Sequence, residues 1–166
     1  MGVSRAGRFA AVTNYRGAKE ARARESRGAL VTAALAGPSP AELVAKLEPI
    51  GSEYSCFNLL ATDGHELWSL SNRGGGARRL EPGIYGLGNT LLDAPEIAEA
   101  KAAFEKTLAA PAVEALLETL APWRIVNEAY GTRCSTVLRM DAERVTYVER
   151  PYGPDGSAGE TRQFRF

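Results

Sequence analysis

The 166 residues, 45% hydrophobic and 24% charged, suit one domain with a real core. The 20 basic and 20 acidic side chains cancel, which excludes a whole-protein field drawing the chain to nucleic acid or anionic lipid. No apolar run approaches the length of about 18 residues that a membrane span needs, and the start lacks an apolar leader, so a cytoplasmic protein is expected.

Residues 8–14 (RFAAVTN) form an apolar run ended by a turn-forming pair, which predicts a strand. Residues 16–27 carry charge without an apolar stripe and read as a solvated loop, with an anion-contacting loop as the alternative. Residues 28–35 and 39–47 read as two short helices broken at Gly37-Pro38. Ser39 is placed to cap the second, ahead of Pro40 and Glu42, and Leu43, Val44 and Leu47 fall on one face. From Tyr54 the period shortens. CFNLLAT and HELWSLSN then predict a hairpin turning at Asp63-Gly64. Residues 73–76 read as a loop and residues 83–87 as a strand ending at Gly88-Asn89. Residues 95–108 and 112–120 have helical periodicity, and strands follow at 133–140, 144–150 and 161–166, the first two joined through Asp141-Ala142-Glu143. Hairpins and helices in separate blocks predict an α+β fold with antiparallel sheets, in one domain covering 1–166.

Few residues carry a chemical signal alone. Cys56 and Cys134 match no zinc or redox spacing and read as reduced core thiols, with a single disulfide as the alternative. His65 is the only histidine, which leaves no material for a catalytic triad or a histidine metal cluster. Gly86-Leu87-Gly88 starts a dinucleotide fingerprint that Leu91 breaks. The RGGGARR stretch at residues 73–79 has backbone N–H groups and arginines suited to a phosphate, beside the plainer reading of a flexible hairpin-end loop.

Seven segments in order carry a resemblance: GRFAAVTNYR, SRGALV, FNLLATD, LWSLSN, GIYGLGNTLLD, YGTRCSTVL and ETRQFRF. Together they resemble the NRDE family, also called the transport and Golgi organisation family, over nearly the whole chain. The family opens with Cys after the initiator Met and then carries the Asn-Arg-Asp-Glu tetrapeptide. Here the sequence opens Met1-Gly2-Val3, so the resemblance implies an N-terminally truncated member. The connection between Leu120 and Tyr130 is also shorter than the family's.

That family is similar to N-terminal nucleophile hydrolases of the penicillin V acylase and bile salt hydrolase branch. The resemblance implies an αββα four-layer sandwich, incomplete at its N-terminus. In such enzymes a terminal thiol attacks an amide carbonyl while the α-amine accepts the proton. By resemblance Asn89 corresponds to the oxyanion-side Asn and Arg133 to the active-site Arg, with Asn14 a weaker pocket candidate. Turn or surface roles remain open for all three. The nucleophile has no counterpart, so the expectation is a non-catalytic protein that binds or traffics a small-molecule ligand. By resemblance haem is an open choice, with His65, Cys56 or Cys134 as the axial-ligand candidates. The alternative is a gene start placed too late in an N-terminal-Cys hydrolase acting on non-peptide C–N bonds. Missing first strands would expose a sheet edge, so self-association is also expected.

Overall fold

Phe57 and Asn58 are both sealed from solvent, at 0% and 1% exposure, yet as successive strand residues they point to opposite sides of one sheet. That alternation organises the first part of the molecule. The computed structural model describes residues 1–17, 24–141 and 143–166. They fall into two compact units, Met1–Ile97 and Ala98–Phe166. Among the described residues the fold is α+β, with four α-helices and two antiparallel sheets.

In the first unit, β1 (Gly2–Val3), β2 (Phe9–Asn14), β3 (Phe57–Thr62), β4 (Leu67–Ser71) and β5 (Gly76–Leu80) lie side by side in chain order. Every neighbouring pair is antiparallel. Between β2 and β3 the chain forms α1 (Arg27–Ala36) and α2 (Pro40–Leu47). Ser39 caps α2 as its sequence predicts, its hydroxyl accepting from the Glu42 N–H at 3.3 Å. Leu43, Val44 and Leu47 of α2 join Leu30 and Ala34 of α1 against Ala10, Phe57, Leu59, Ala61 and Leu70. Each large side chain buried there is worth roughly 1.5–3 kcal/mol over its exposed state. Arg8 ties the sheet to the end of α1 by donating to the Ala34 and Pro38 carbonyls.

Two sequence expectations need correction in this unit. Residues 83–87 are not a strand: the segment from Glu81 to Ala94 has no ladder partner. Its backbone bonds elsewhere, the Gly86 N–H to the Asp93 carboxylate and the Gly86 carbonyl to the Asp93 N–H. RGGGARR is only half loop, since its second half is β5. Gly74 and Gly75, with φ of +143° and +80°, turn the chain into Gly76 at +58°, the first residue of β5, and side-chain-bearing residues would resist these conformations. A two-residue strand, β1, was also illegible. The charged stretch at 16–27 lies partly outside the described residues, at 18–23. Its flanks are bonded: the Arg16 N–H donates to the Asn89 carbonyl and the Arg24 N–H to the Glu53 carbonyl.

The second unit contains α3 (Ala98–Leu108) and α4 (Val113–Thr119), then the meander β6 (Cys134–Met140), β7 (Val145–Pro151) and β8 (Arg162–Arg165). The helix expected at 95–108 begins with a 3-10 turn, Pro95–Ile97, before α3 proper. Ala142 of the expected hairpin lies outside the described residues, while the Asp141 carboxylate accepts from the Glu143 and Arg144 N–H groups. Leu116 and Leu117 of α4 pack on Val137 and Val148. On the same sheet face, Arg150 forks onto Glu114 and Glu118, one helical turn apart on α4, at 2.6 and 2.8 Å.

Candidate functional site

The side of the first sheet away from the helices carries a polar row at one end and apolar side chains at the other. Cross-strand register puts Thr13, Asn58, Ser71 and Gly76 in one row. Ala11, Leu60, Ser69 and Arg78 form the next, and Phe9, Thr62, Leu67 and Leu80 the third. The irregular 81–94 segment bonds to the first row. Thr13 Oγ1 donates to the Gly88 carbonyl at 2.7 Å, and Asn58 Nδ2 donates to the Thr90 carbonyl at 2.8 Å and to Thr13 Oγ1 at 3.1 Å. At its edge, Asn89 Nδ2 donates to the Asn14 carbonyl and side-chain oxygen. Of the three residues singled out by resemblance, Asn14 and Asn89 are therefore brought together. Arg133 belongs to the second unit, exposed just before β6, its carbonyl accepting from the Tyr152 N–H at 2.8 Å.

Concavities of two sizes open at opposite ends of these strands. The smaller, of about 170 Å³, lies where Asn58, Ser69, Ser71 and Arg78 meet the glycine turn and Leu91 and Leu92. Asn58 has committed its donors, but its Oδ1 is buried without a hydrogen-bond partner among the described residues. A buried acceptor left unsatisfied costs roughly 1–3 kcal/mol. Neither Asn58 nor Thr13 stood out in the sequence. The available signal was an Asn between Phe57 and Leu59 in an otherwise apolar strand, since a polar side chain sealed there requires partners.

The larger concavity, about 400 Å³, lies at the other end of the same strands, beside the β3–β4 turn. Leu67, Leu80, Pro82 and Tyr85 give it apolar and aromatic walls, while His65, Glu66, Arg79 and Glu81 supply polar groups. The turn is built by Asp63, whose carboxylate accepts from the His65 and Glu66 N–H groups at 3.1 and 3.2 Å. Those backbone bonds hold its pKa below the ordinary carboxylate value, against the opposing effect of partial burial, which is the largest single influence.

Both thiols are free. Cys56 is 6% exposed, as a core thiol should be. Cys134 is exposed, which corrects the core reading: it is the first residue of β6 and alternates away from Ser135 and Val137, which are buried. Its pKa is raised, first by partial burial of the thiol and then by the negative charge and hydrogen bond of Glu149. No cluster of three or more His, Cys, Asp or Glu side chains able to hold a metal ion occurs among the described residues. No helix among them is long and apolar enough to cross a membrane.

The sequence matches the Transport and Golgi organisation 2 family over residues 1–128. It is 30% identical to the Transport and Golgi organization protein 2 homolog of Bos taurus, an alignment covering 100% of this chain and 76% of that protein. The Homo sapiens protein of that name is 30% identical with the same coverage. The Mus musculus Transport and Golgi organization 2 homolog is 28% identical, again over 100% of this chain and 76% of the relative.

Proposed function

Because this chain belongs to the Transport and Golgi organisation 2 family, we propose that it binds and traffics a small organic ligand, with haem the ligand its residues fit best. The observation that carries this reading is the position of the only imidazole in the sequence. His65 lines the 400 Å³ concavity together with Tyr85, three apolar side chains and Arg79. Apolar walls with a few convergent polar groups are the usual makeup of a small-molecule site. His65 would hold the iron, Leu67, Leu80, Pro82 and Tyr85 would line the macrocycle, and Arg79 would meet a propionate. Haem, when bound, would supply an iron centre whose properties the surrounding residues would tune.

The thiols support binding over acyl transfer. Cys56 is shut in the core, and the raised pKa of Cys134 leaves little of the thiolate that a nucleophile needs. The fold reading that accompanies the proposal is the sandwich type of the N-terminal nucleophile hydrolases. In its support the first sheet packs helices on one side and carries a polar row on the other. Self-association through an open strand edge is part of the same proposal, supported by β8, where Phe164 is 53% exposed, and it is read by sedimentation of the purified protein.

Titration with haemin tests the ligand. The expected result is a shifted Soret band that persists in Cys56→Ser and Cys134→Ser and is lost in His65→Ala. An unchanged haemin spectrum in the presence of wild-type protein would eliminate haem.

A further inference from the structure

We infer that the Asn58 cleft is a second ligand site, separate from the histidine concavity, and that it takes a small carboxylate carrying a hydroxyl or N–H donor a few bonds away. Three features of the cleft define that chemistry, and none depends on haem being bound.

First, Asn58 can only accept. Its Nδ2 group is committed to the Thr90 carbonyl and Thr13 Oγ1, and its Oδ1 lacks a partner although the residue is 1% exposed. Buried acceptors left open in this way are rare and expensive. The complementary ligand group is a donor.

Second, the other end is cationic. Arg78 is exposed and has no ion pair or hydrogen bond among the described residues, so its guanidinium is available to an anion. A carboxylate matches its planar donor fork. Glu48, a carboxylate at this turn, accepts from the Ala77 N–H at 2.9 Å. The same Glu48 oxygen would stand 2.8 Å from a Cβ at Gly76, which lines the cleft, and it is already committed to that backbone N–H.

Third, the space is small. A volume of about 170 Å³ falls below the roughly 300–1,000 Å³ of common drug-sized pockets. Asn58 and Arg78 stand two strands and one row apart, which is about 12 Å between backbones. The long Arg78 side chain shortens that gap to the reach of a short chain. Leu91 and Leu92 supply an apolar wall for its methylenes.

The test uses a ruler of hydroxy acids on the full chain: glycolate, 3-hydroxypropionate and 4-hydroxybutyrate. Each is paired with the acid of equal carbon number that lacks the hydroxyl, and binding is followed by amide and side-chain NMR shifts. One hydroxy acid is expected to bind at least tenfold tighter than its partner, moving the Asn58 side-chain resonances. Arg78→Gln, an exposed change that should leave the fold intact, is expected to weaken that ligand at least tenfold. Asn58→Leu, checked for folding by its spectrum, is expected to erase the preference for the hydroxyl. If no hydroxy acid outbinds its partner, or if Arg78→Gln binds as wild type does, the inference is overturned. His65→Ala is expected to leave this binding unchanged. A haemin failure with an intact hydroxy-acid preference therefore rejects the earlier reading alone.

Discussion

Asn89 donates its side-chain amide to Asn14 twice, to the backbone carbonyl at 3.0 Å and to the side-chain oxygen. In return the Asn89 carbonyl receives the Arg16 N–H. The two residues are 75 apart in sequence, so this exchange fastens the irregular 81–94 segment to the end of β2. It also commits the very donors that an oxyanion-binding Asn would need free.

Breaking that exchange should loosen the segment without unfolding the sheet. Each neutral bond is worth about 1 kcal/mol net, so Asn89→Ala should cost roughly 1–2 kcal/mol in urea unfolding. In a double-mutant cycle with Asn14→Ala the two losses should be less than additive. Strictly additive losses would show that the pair is not coupled.

Gly86 tests how tightly the segment is seated. A methyl group there would come within 2.0 Å of the Ile97 side chain, an overlap that forces movement. Gly86→Ala should destabilise by about 1–3 kcal/mol, and Ile97→Ala in the same chain should recover part of the loss. Failure of the second change to help would locate the strain elsewhere.

The Arg150 fork gives a pH-dependent prediction. Its hydrogen bond to Glu114 holds that carboxyl below its ordinary value of 4.5. A carboxyl depressed on folding stabilises the protein above its unfolded value, and this contribution fades as pH falls through the folded one. The stability gap between wild type and Arg150→Met should therefore be open at neutral pH and narrow in acid below the usual glutamate range. Unfolding midpoints measured at pH 7 and pH 3 check this, and a gap of equal size at both would contradict it.

Cys134 should react slowly for an exposed thiol. With Glu149→Gln, one source of its raised pKa disappears, and alkylation by iodoacetamide at pH 8 should quicken because more thiolate is present. Cys56, 6% exposed, should remain protected in both proteins. Equal rates for Cys134 before and after the substitution would contradict the assigned cause.

Local chemistry was readable from sequence wherever it acts over a few residues. The Ser39 cap, the Asp63-Gly64 hairpin and the burial of Leu43, Val44 and Leu47 follow from neighbours within one turn. Residues 83–87 misled because their alternation looks strand-like, whereas Gly86 bonds to Asp93 and the adjoining Gly88 and Thr90 carbonyls are held by Thr13 and Asn58, far away in sequence. β5 was missed for the converse reason. Gly76-Ala77-Arg78-Arg79 has little strand propensity and pairs because the preceding turn delivers it to β4. The resemblance singled out Asn14 and Asn89, which the fold brings into contact, whereas the open acceptor of Asn58 depends on three elements meeting.

The strand that anchors the core also carries the cleft, and it keeps the two tasks on separate registers. Phe57, Leu59 and Ala61 serve one side, while Asn58, Leu60 and Thr62 serve the other. Selection can therefore retune what the protein recognises by exchanging even-numbered residues of β3, leaving the packing against the helices untouched. A single-residue insertion in that strand would invert both assignments at once, driving the Phe57 ring toward the polar row and a bare amide into the hydrocarbon interior.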